Sequence, residues 1–128
     1  MPEGQPAAVR SFRDLMMWRK SMDLVVACYR LTQGFPASET YGLVSQIRRS
    51  AVSVPANIAE GHARKRTGDY LHHLSIASGS LAELETHILI AVRLGFVGEA
   101  EVDPILEDAH EVGRVLAGLI QKLGMRKP

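Results

Sequence analysis

Four stretches of this sequence repeat apolar residues at steps of three and four positions, and glycine or proline separates one stretch from the next. Such spacing places the apolar side chains on one face of an α-helix. The strict alternation that is typical of a strand does not occur in these stretches. The pattern therefore predicts an all-α chain with helices at about 13–33, 38–60, 67–95 and 103–123.

The helix ends and the core faces follow from the same pattern. We expect Gly61 to end the second helix, which continues through Pro55 with a kink. Thr67 is the expected N-cap of the third helix, Gly95 its end, and Pro104 the first residue of the fourth. The predicted core positions are Leu15, Trp18, Met22, Val25 and Tyr29; Leu43, Ile47, Ala51, Val54 and Ile58; Leu74, Ala77, Leu81, Leu84, Ile88 and Ala91; and Ile105, Ala109, Val112, Leu116, Leu119 and Leu123.

The connections between the predicted helices are short, at 34–37, 61–66 and 96–102. Short connections make consecutive helices antiparallel neighbours, so we predict an up-down-up-down four-helix bundle. A chain of 128 residues is enough for one such domain. We place the domain at 11–124, between an N-terminal tail (1–10) and a C-terminal tail (125–128).

Apolar residues remain outside the predicted core faces. They are Met17, Leu24 and Leu31 on the first helix, and Ile76, Leu89, Ile90 and Val92 on the third. A helix that is apolar on more than one side is either central or covered by another chain. Because no helix is central in a four-helix bundle, we expect a homo-oligomer. The alternative is a monomer with a wide core stripe.

Composition excludes several classes of protein. A single cysteine, Cys28, supports neither an intrachain disulfide nor a multi-cysteine zinc site. No run of about 18 apolar residues is present, so we expect no membrane span and a cytoplasmic location. The net charge of +1 divides unevenly: residues 1–66 carry 10 Lys and Arg against 5 Asp and Glu, and residues 67–128 carry 5 against 9. This asymmetry predicts a localised basic surface or self-association through opposite charges.

Two polar features are candidates for a functional site. The second helix carries a polar stripe opposite its apolar one, formed by Gln46, Arg49, Ser53, Asn57 and Glu60. It indicates either a contact surface for a ligand, nucleic acid or subunit, or a solvated face. Five cations lie between positions 48 and 66, and phosphates bind such clusters. The candidate nucleic-acid-binding residues are Arg48, Arg64, Lys65 and Arg66, although no aromatic residue is interleaved with the last three.

Catalytic and metal sites are not expected. No histidine lies within a turn of Ser45, Ser50 or Ser53, so the sequence offers no local base for a nucleophilic serine. Glu107 and His110 have the spacing of a di-iron ligand pair, but such a site needs a second pair and two further glutamates. The remaining histidines are read as surface or turn residues. We therefore predict a non-enzymatic protein with no metal and no cofactor.

Several motifs together resemble the bacterial four helix bundle protein family, also called the 23S rRNA intervening-sequence protein family. The resemblance runs from about Phe12 to Val97. Its motifs are Phe12-Arg13-Asp14-Leu15 with Trp18, Phe35-Pro36 with Glu39 and Tyr41-Gly42-Leu43, Gln46-Ile47-Arg48-Arg49-Ser50-Ala51, Ser53-Val54-Pro55-Ala56-Asn57-Ile58-Ala59-Glu60-Gly61, and Ala77-Ser78-Gly79-Ser80 with Glu83-Leu84-Glu85. The fourth predicted helix carries little of the family's signature.

The resemblance implies a four-helix bundle that assembles as a ring-like homopentamer, in a family with no settled function. The resemblance also implies that some members are encoded inside intervening sequences of large-subunit ribosomal RNA genes. The accessory variability protein of diversity-generating retroelements is a more distant likeness, a pentamer that works with a reverse transcriptase and nucleic acid. The resemblance also implies that the polar stripe joins Ser80, Glu83 and Glu85 of helix three in a network that fixes register or a subunit interface. An ion pair of Arg49 with Glu60 or Glu83 would belong to it.

Two function classes remain open. In the first, a pentameric module binds RNA or DNA through Arg48 and the cluster Arg64–Arg66. In the second, a scaffold without nucleic-acid contact recruits a partner protein, such as a polymerase, through the acidic fourth helix with Glu107, Asp108 and Glu111.

Overall fold

The computed structural model describes residues 11–125, and these residues form helices and no strand. The four α-helices are α1 (Met16–Thr32), α2 (Leu43–Ala63), α3 (Thr67–Arg93) and α4 (Glu99–Gly124). Short 3-10 turns lie before α1, at Phe12–Asp14, and before α2, at Ala37–Glu39. Of the predicted tails at 1–10 and 125–128, residues 1–10 and 126–128 lie outside the described residues, and Met125 is the C-cap of α4.

The four helices form a closed square in cross-section. α2 packs directly against α1 and α3, while α4 packs directly against α3 and α1; among the described residues the backbones of the diagonal pairs α1–α3 and α2–α4 do not approach each other closely. Contacts between α2 and α3 join Ser50 to His87, Ser53 to Ser80 and Asn57 to His73, so one helix ascends as the other descends. The chain is therefore all-helical, with the arrangement of a four-helix bundle, as the sequence predicts.

The predicted core faces of α2, α3 and α4 are confirmed. All of their residues are buried, except that Leu119 is partly buried. The buried side chains of these helices lie in the interior of the bundle, where they form one hydrophobic cluster. Burial of such apolar area is the main stabilising contribution to a fold of this kind.

The predicted core face of α1 is wrong. Met22 and Tyr29 are 41% and 40% exposed, and Leu15, Trp18 and Val25 only pack against the edge of the core. The buried residues of α1 lie on a different line, and they are Met17, Ser21, Leu24, Cys28 and Thr32. Two of the apolar residues that the prediction left over, Met17 and Leu24, are therefore core residues.

Two hydrogen bonds from hydroxyl groups to backbone carbonyls explain how polar residues fit the buried line of α1. Ser21 Oγ donates to the carbonyl of Trp18 at 2.8 Å, and Thr32 Oγ1 donates to the carbonyl of Cys28 at 2.9 Å. Both hydroxyls are satisfied by their own helix, so their burial costs little. Burial also raises the pKa of the Cys28 thiol to about 12, which keeps it protonated.

Several predicted helix ends are also wrong. α2 begins at Leu43, five residues after the expected Ser38, because the carboxylate of Glu39 accepts from the Leu43 amide at 3.0 Å and caps the helix there. α2 continues through Gly61 to Ala63, with Pro55 inside it as expected. In α3, Arg66 and not Thr67 is the N-cap.

The start of α4 lies four residues before the predicted one. Gly98 is the N-cap, and its amide donates to Glu101 Oε1 at 3.1 Å. Glu99 and Glu101 lie in the first turn, where the helix dipole favours carboxylates, and Pro104 is consequently inside the helix. Gly95, with a positive φ of 78°, ends α3 as predicted.

Candidate functional site

The polar stripe of α2 faces a line of polar residues on α3. Ser53 Oγ lies 2.8 Å from Ser80 Oγ, so the two hydroxyls share a hydrogen bond between the helices. Asn57 Nδ2 donates to the carbonyl of Ser53 at 2.9 Å and to its hydroxyl at 3.1 Å. The Asn57 Oδ1 atom then accepts from His73 Nδ1 at 3.0 Å. These bonds link α2 and α3 over two helical turns.

Two histidines that were predicted to be surface or turn residues belong to this line of polar residues on α3. His73 is the partner of Asn57, and its side chain is only 15% exposed. His87 Nδ1 lies 3.3 Å from Ser50 Oγ. His73, Ser80 and His87 follow one another at intervals of seven residues, directly beside the apolar stripe of α3. That spacing is the sequence signal that would have placed them on the α2 side of the helix.

The pair Ser50 and His87 joins α2 to α3 at a second point. Ser50 is buried, and its hydroxyl lies 2.8 Å from the carbonyl of Gln46, to which it donates. The same oxygen lies 3.3 Å from His87 Nδ1, and which of these two atoms donates depends on the tautomer of the histidine.

The charged members of the predicted network are not paired as expected. Glu60 Oε1 binds Arg64 Nη2 at 2.6 Å, one turn further along α2, and lies 3.9 Å from His73. Within residues 11–125 Arg49 forms no ion pair with Glu60 or with Glu83. Arg49 and Glu83 instead line a polar cleft of 390 Å³ between α2 and α3, together with Gln46.

Glu85 lies on the other side of α3. Its carboxylate contacts His110 Nε2 of α4 at 2.6 Å, so it joins α3 to α4 and takes no part in the α2–α3 network in which it was placed. This contact also uses the histidine that suggested a di-iron ligand. In the part of the chain that the structure describes, no group of three or more His, Cys, Asp and Glu residues is arranged to hold a metal ion.

Arg48 is separate from the other candidate nucleic-acid-binding residues. Its Nε donates to Thr32 Oγ1 at 2.9 Å, its Nη2 to the carbonyl of Tyr29 at 3.4 Å, and its guanidinium carbon lies 4.4 Å from the centroid of the Tyr29 ring. These contacts fasten the start of α2 to the end of α1. Arg48 and Arg64 are sixteen residues apart on one helix, which corresponds to about 24 Å along its axis. The four candidates therefore do not form one patch.

The cluster Arg64–Arg66 occupies the connection between α2 and α3, and all three residues are exposed. Arg64 has an extended backbone that ends α2, and its side chain is paired with Glu60. Lys65 and Arg66 make no ion pair with a carboxylate of the described residues. Beneath the connection, the His62 and Tyr70 rings meet edge to face at 5.9 Å, and burial raises the pKa of Tyr70.

None of the described helices is both long and apolar enough to cross a membrane.

A family described as 23S rRNA-intervening sequence protein matches residues 13–118, which is most of the chain. One similar solved structure is a protein of unknown function from the S23 ribosomal protein family of Bacteroides thetaiotaomicron VPI-5482. The two folds superpose with a TM-score of 0.74 at 23% sequence identity, over 82% of this chain and 98% of the other. Among curated protein sequences none matches significantly. The match over residues 13–118 includes most of α4, which the motifs alone did not cover.

Proposed function

Since the chain belongs to the 23S rRNA-intervening sequence protein family, we propose that it is a non-enzymatic helical-bundle module that binds nucleic acid, RNA in preference to DNA. The observation that carries the proposal is the connection between α2 and α3, where Lys65 and Arg66 are exposed and unpaired with any carboxylate of residues 11–125. Unneutralised cations on a short, fixed turn are suited to phosphate contacts. The preference for RNA is part of the proposal and rests only on the ribosomal RNA named in the family's description.

The topology of the bundle adds further cations to this turn. In an antiparallel bundle the start of α1, the end of α2, the start of α3 and the end of α4 lie at one end. Arg13, Arg19 and Lys122 therefore belong to the same end as Arg64–Arg66. The opposite end contains the start of α4, with Glu99 and Glu101 in its first turn. The small net charge of the chain is thus compatible with one basic end, which would attract a polyanion.

We also propose that the chain assembles as a homopentamer. The support from the structure is a set of apolar side chains on α3 that point away from the core, and the number five rests on the family resemblance. They are Ile76, Leu89 and Ile90, and Leu94 directly after the helix is exposed as well. Covering such residues with a second copy removes apolar area from water. In a closed ring the basic turns of all subunits would add their potentials.

The binding proposal is tested by electrophoretic mobility shift with a short RNA at two salt concentrations. We expect a shift at low salt that weakens at high salt, and a weaker shift for the double variant Lys65→Gln/Arg66→Gln. The matched control, Arg30→Gln/Arg93→Gln, removes two cations from the last turns of α1 and α3, at the opposite end of the bundle. An equal loss of RNA binding in both double variants would show that binding depends on net charge alone. No shift at low salt would refute the proposal.

The assembly proposal is tested by native mass spectrometry. We expect a particle of five subunits, and a smaller one for Leu89→Glu/Ile90→Glu. Met125→Glu is the control, because Met125 is an exposed apolar residue at the end of α4. A wild-type monomer would contradict the proposal.

The second candidate function is a scaffold that recruits a partner protein through the acidic α4. Glu107 and Asp108 are exposed on this helix and have no ion pair among the described residues. Glu111 lies one turn after Glu107 on α4, but its carboxylate is already bound by Lys20 of α1 at 2.6 Å. A pull-down that loses a partner on Glu107→Gln/Asp108→Asn, with RNA binding unchanged, would favour this function over the first.

A further inference from the structure

A groove of 610 Å³ runs along the junction of α1 and α2, away from the basic turn. Two tyrosines line it, Tyr29 near the end of α1 and Tyr41 just before α2. Tyr29 is 40% exposed and Tyr41 is 97% exposed. The Tyr41 ring therefore has nearly its whole surface in solvent and contributes little to the core.

Two arginines lie in the wall of the same groove. Arg48 is held in place, with its Nε on Thr32 Oγ1 at 2.9 Å and its guanidinium over the Tyr29 ring. Arg49 is the next residue of α2; it is exposed and forms no ion pair with any carboxylate in residues 11–125. One cation is thus fixed against an aromatic ring, and the other is available to an anion.

The chemistry of this wall matches that of an unpaired nucleotide. Aromatic rings and guanidinium planes stack on the face of any base, and a neighbouring cation binds the phosphate. The hydroxyl of Ser45, which also lines the groove, can exchange hydrogen bonds with a ribose or with a base edge, and Thr40 Oγ1, which donates to the carbonyl of Ala37, can still accept one. A double helix does not present base faces for stacking, because each base is already stacked on its neighbours.

We propose that this groove binds an unpaired base of single-stranded RNA, stacked on Tyr41, with the adjoining phosphate on Arg49. The inference rests on the proposed function, RNA binding, and adds a second contact to the one at Arg64–Arg66. The two contacts serve different purposes. The basic turn attracts any phosphate backbone, while the tyrosine groove distinguishes single strands from duplexes.

The test compares a single-stranded RNA with a blunt-ended RNA duplex of the same length, by fluorescence anisotropy at low salt. We expect Tyr41→Ala to weaken single-strand binding about 10- to 100-fold, the effect of losing one stacked base. Binding of the duplex is expected to stay unchanged. Tyr41→Trp retains a ring for stacking and is expected to keep the affinity. Ultraviolet cross-linking of the wild-type complex is expected to attach RNA at Tyr41.

The phosphate contact is tested by Arg49→Gln with Arg93→Gln as its matched control, since both changes remove one exposed cation from the bundle. We expect the first to reduce single-strand affinity and its salt dependence more than the second. An equal effect of the two changes would overturn the assignment of Arg49.

Three outcomes separate this inference from the proposed function. If Tyr41→Ala binds both RNAs like the wild type while Lys65→Gln/Arg66→Gln binds them weakly, the groove assignment is wrong and the proposed function stands. If neither RNA binds the wild-type protein, both fail. If Tyr41→Ala changes the number of subunits seen by native mass spectrometry, the groove is a contact between copies of this chain, and the inference is overturned.

Discussion

Gly61 offers the sharpest test of how α2 and α3 pack. The sequence predicts it as the end of a helix, but it is buried inside α2. A Cβ atom at this position would lie 2.9 Å from His73 Cβ and 2.9 Å from Tyr70 Cδ1. Neither atom is the far end of a flexible side chain, so a methyl group there would push α3 away from α2. We predict that Gly61→Ala lowers the free energy of unfolding.

The magnitude follows from two opposing contributions. Insertion of an extra methyl group into a packed contact costs about 1–3 kcal/mol. Replacing glycine by alanine inside a helix returns about 1 kcal/mol, because alanine restricts the unfolded chain more. The net expectation for Gly61→Ala is a loss of up to about 2 kcal/mol.

Gly79 is the matched control. It lies inside α3, it is exposed, and nothing lies within 4 Å of the position where its Cβ would be. Gly79→Ala therefore receives only the helix contribution and is expected to stabilise the protein by up to about 1 kcal/mol. Urea unfolding followed by circular dichroism, at one fixed protein concentration, measures both. If Gly61→Ala stabilises the protein as much as Gly79→Ala does, the close approach of α2 and α3 at Gly61 is refuted.

Three further predictions concern single side chains. Burial raises the pKa of Cys28 to about 12, so this residue stays a thiol at pH 8. We expect a thiol reagent to modify it only after unfolding. Rapid labelling of the folded protein would contradict this prediction. Lys20 lowers the pKa of Glu111 by hydrogen bonding and by its charge. The ion pair therefore stabilises the fold at a pH above the usual pKa of a glutamate, and this stabilisation is lost as the pH falls through the lowered pKa of Glu111. Lys20→Met is expected to return the Glu111 pKa towards 4.5 in an NMR titration, and an unchanged pKa would show that the ion pair does not form. Arg48→Met is expected to lower the free energy of unfolding by about 1–2 kcal/mol, because the contacts with the Tyr29 ring and Thr32 are lost, and an unchanged urea midpoint would count against that role.

Much of the fold is predictable from the sequence because α2, α3 and α4 each have one apolar line that continues along the whole helix. On α3, for example, Leu74, Leu81 and Ile88 repeat every seven residues, and all are buried. The polar contacts between helices are harder to predict. Asn57 and His73 are sixteen residues apart in the chain, and only the register of α2 against α3 brings their side chains within 3.0 Å. A periodicity in one helix carries no information about that register.

The helix ends show the same limit at a shorter range. The pattern predicts that Gly61 ends α2, because glycine is common after the last turn of a helix. A glycine can end a helix, or it can lie inside one and allow a neighbouring helix to approach closely. Which of the two occurs depends on the side chains that pack against the glycine, and at Gly61 these are Tyr70 and His73. By contrast, Gly95 adopts a positive φ at an exposed position, where only its own backbone matters, and the prediction succeeds.

The wrong core face of α1 has a physical cause that also bears on function. This helix has two possible faces, and the more apolar one contains Met22 and Tyr29, which lie towards solvent. The buried face contains Ser21 and Thr32, which the core tolerates because each hydroxyl donates to a carbonyl of its own helix. Because these hydroxyls are satisfied by local hydrogen bonds, α1 buries the face that contains Ser21 and Thr32. Its other face, with apolar and aromatic groups, remains on the outside. Tyr29 on that outer face lines the groove with Tyr41, so the residue that misled the core prediction is part of the surface proposed to bind RNA.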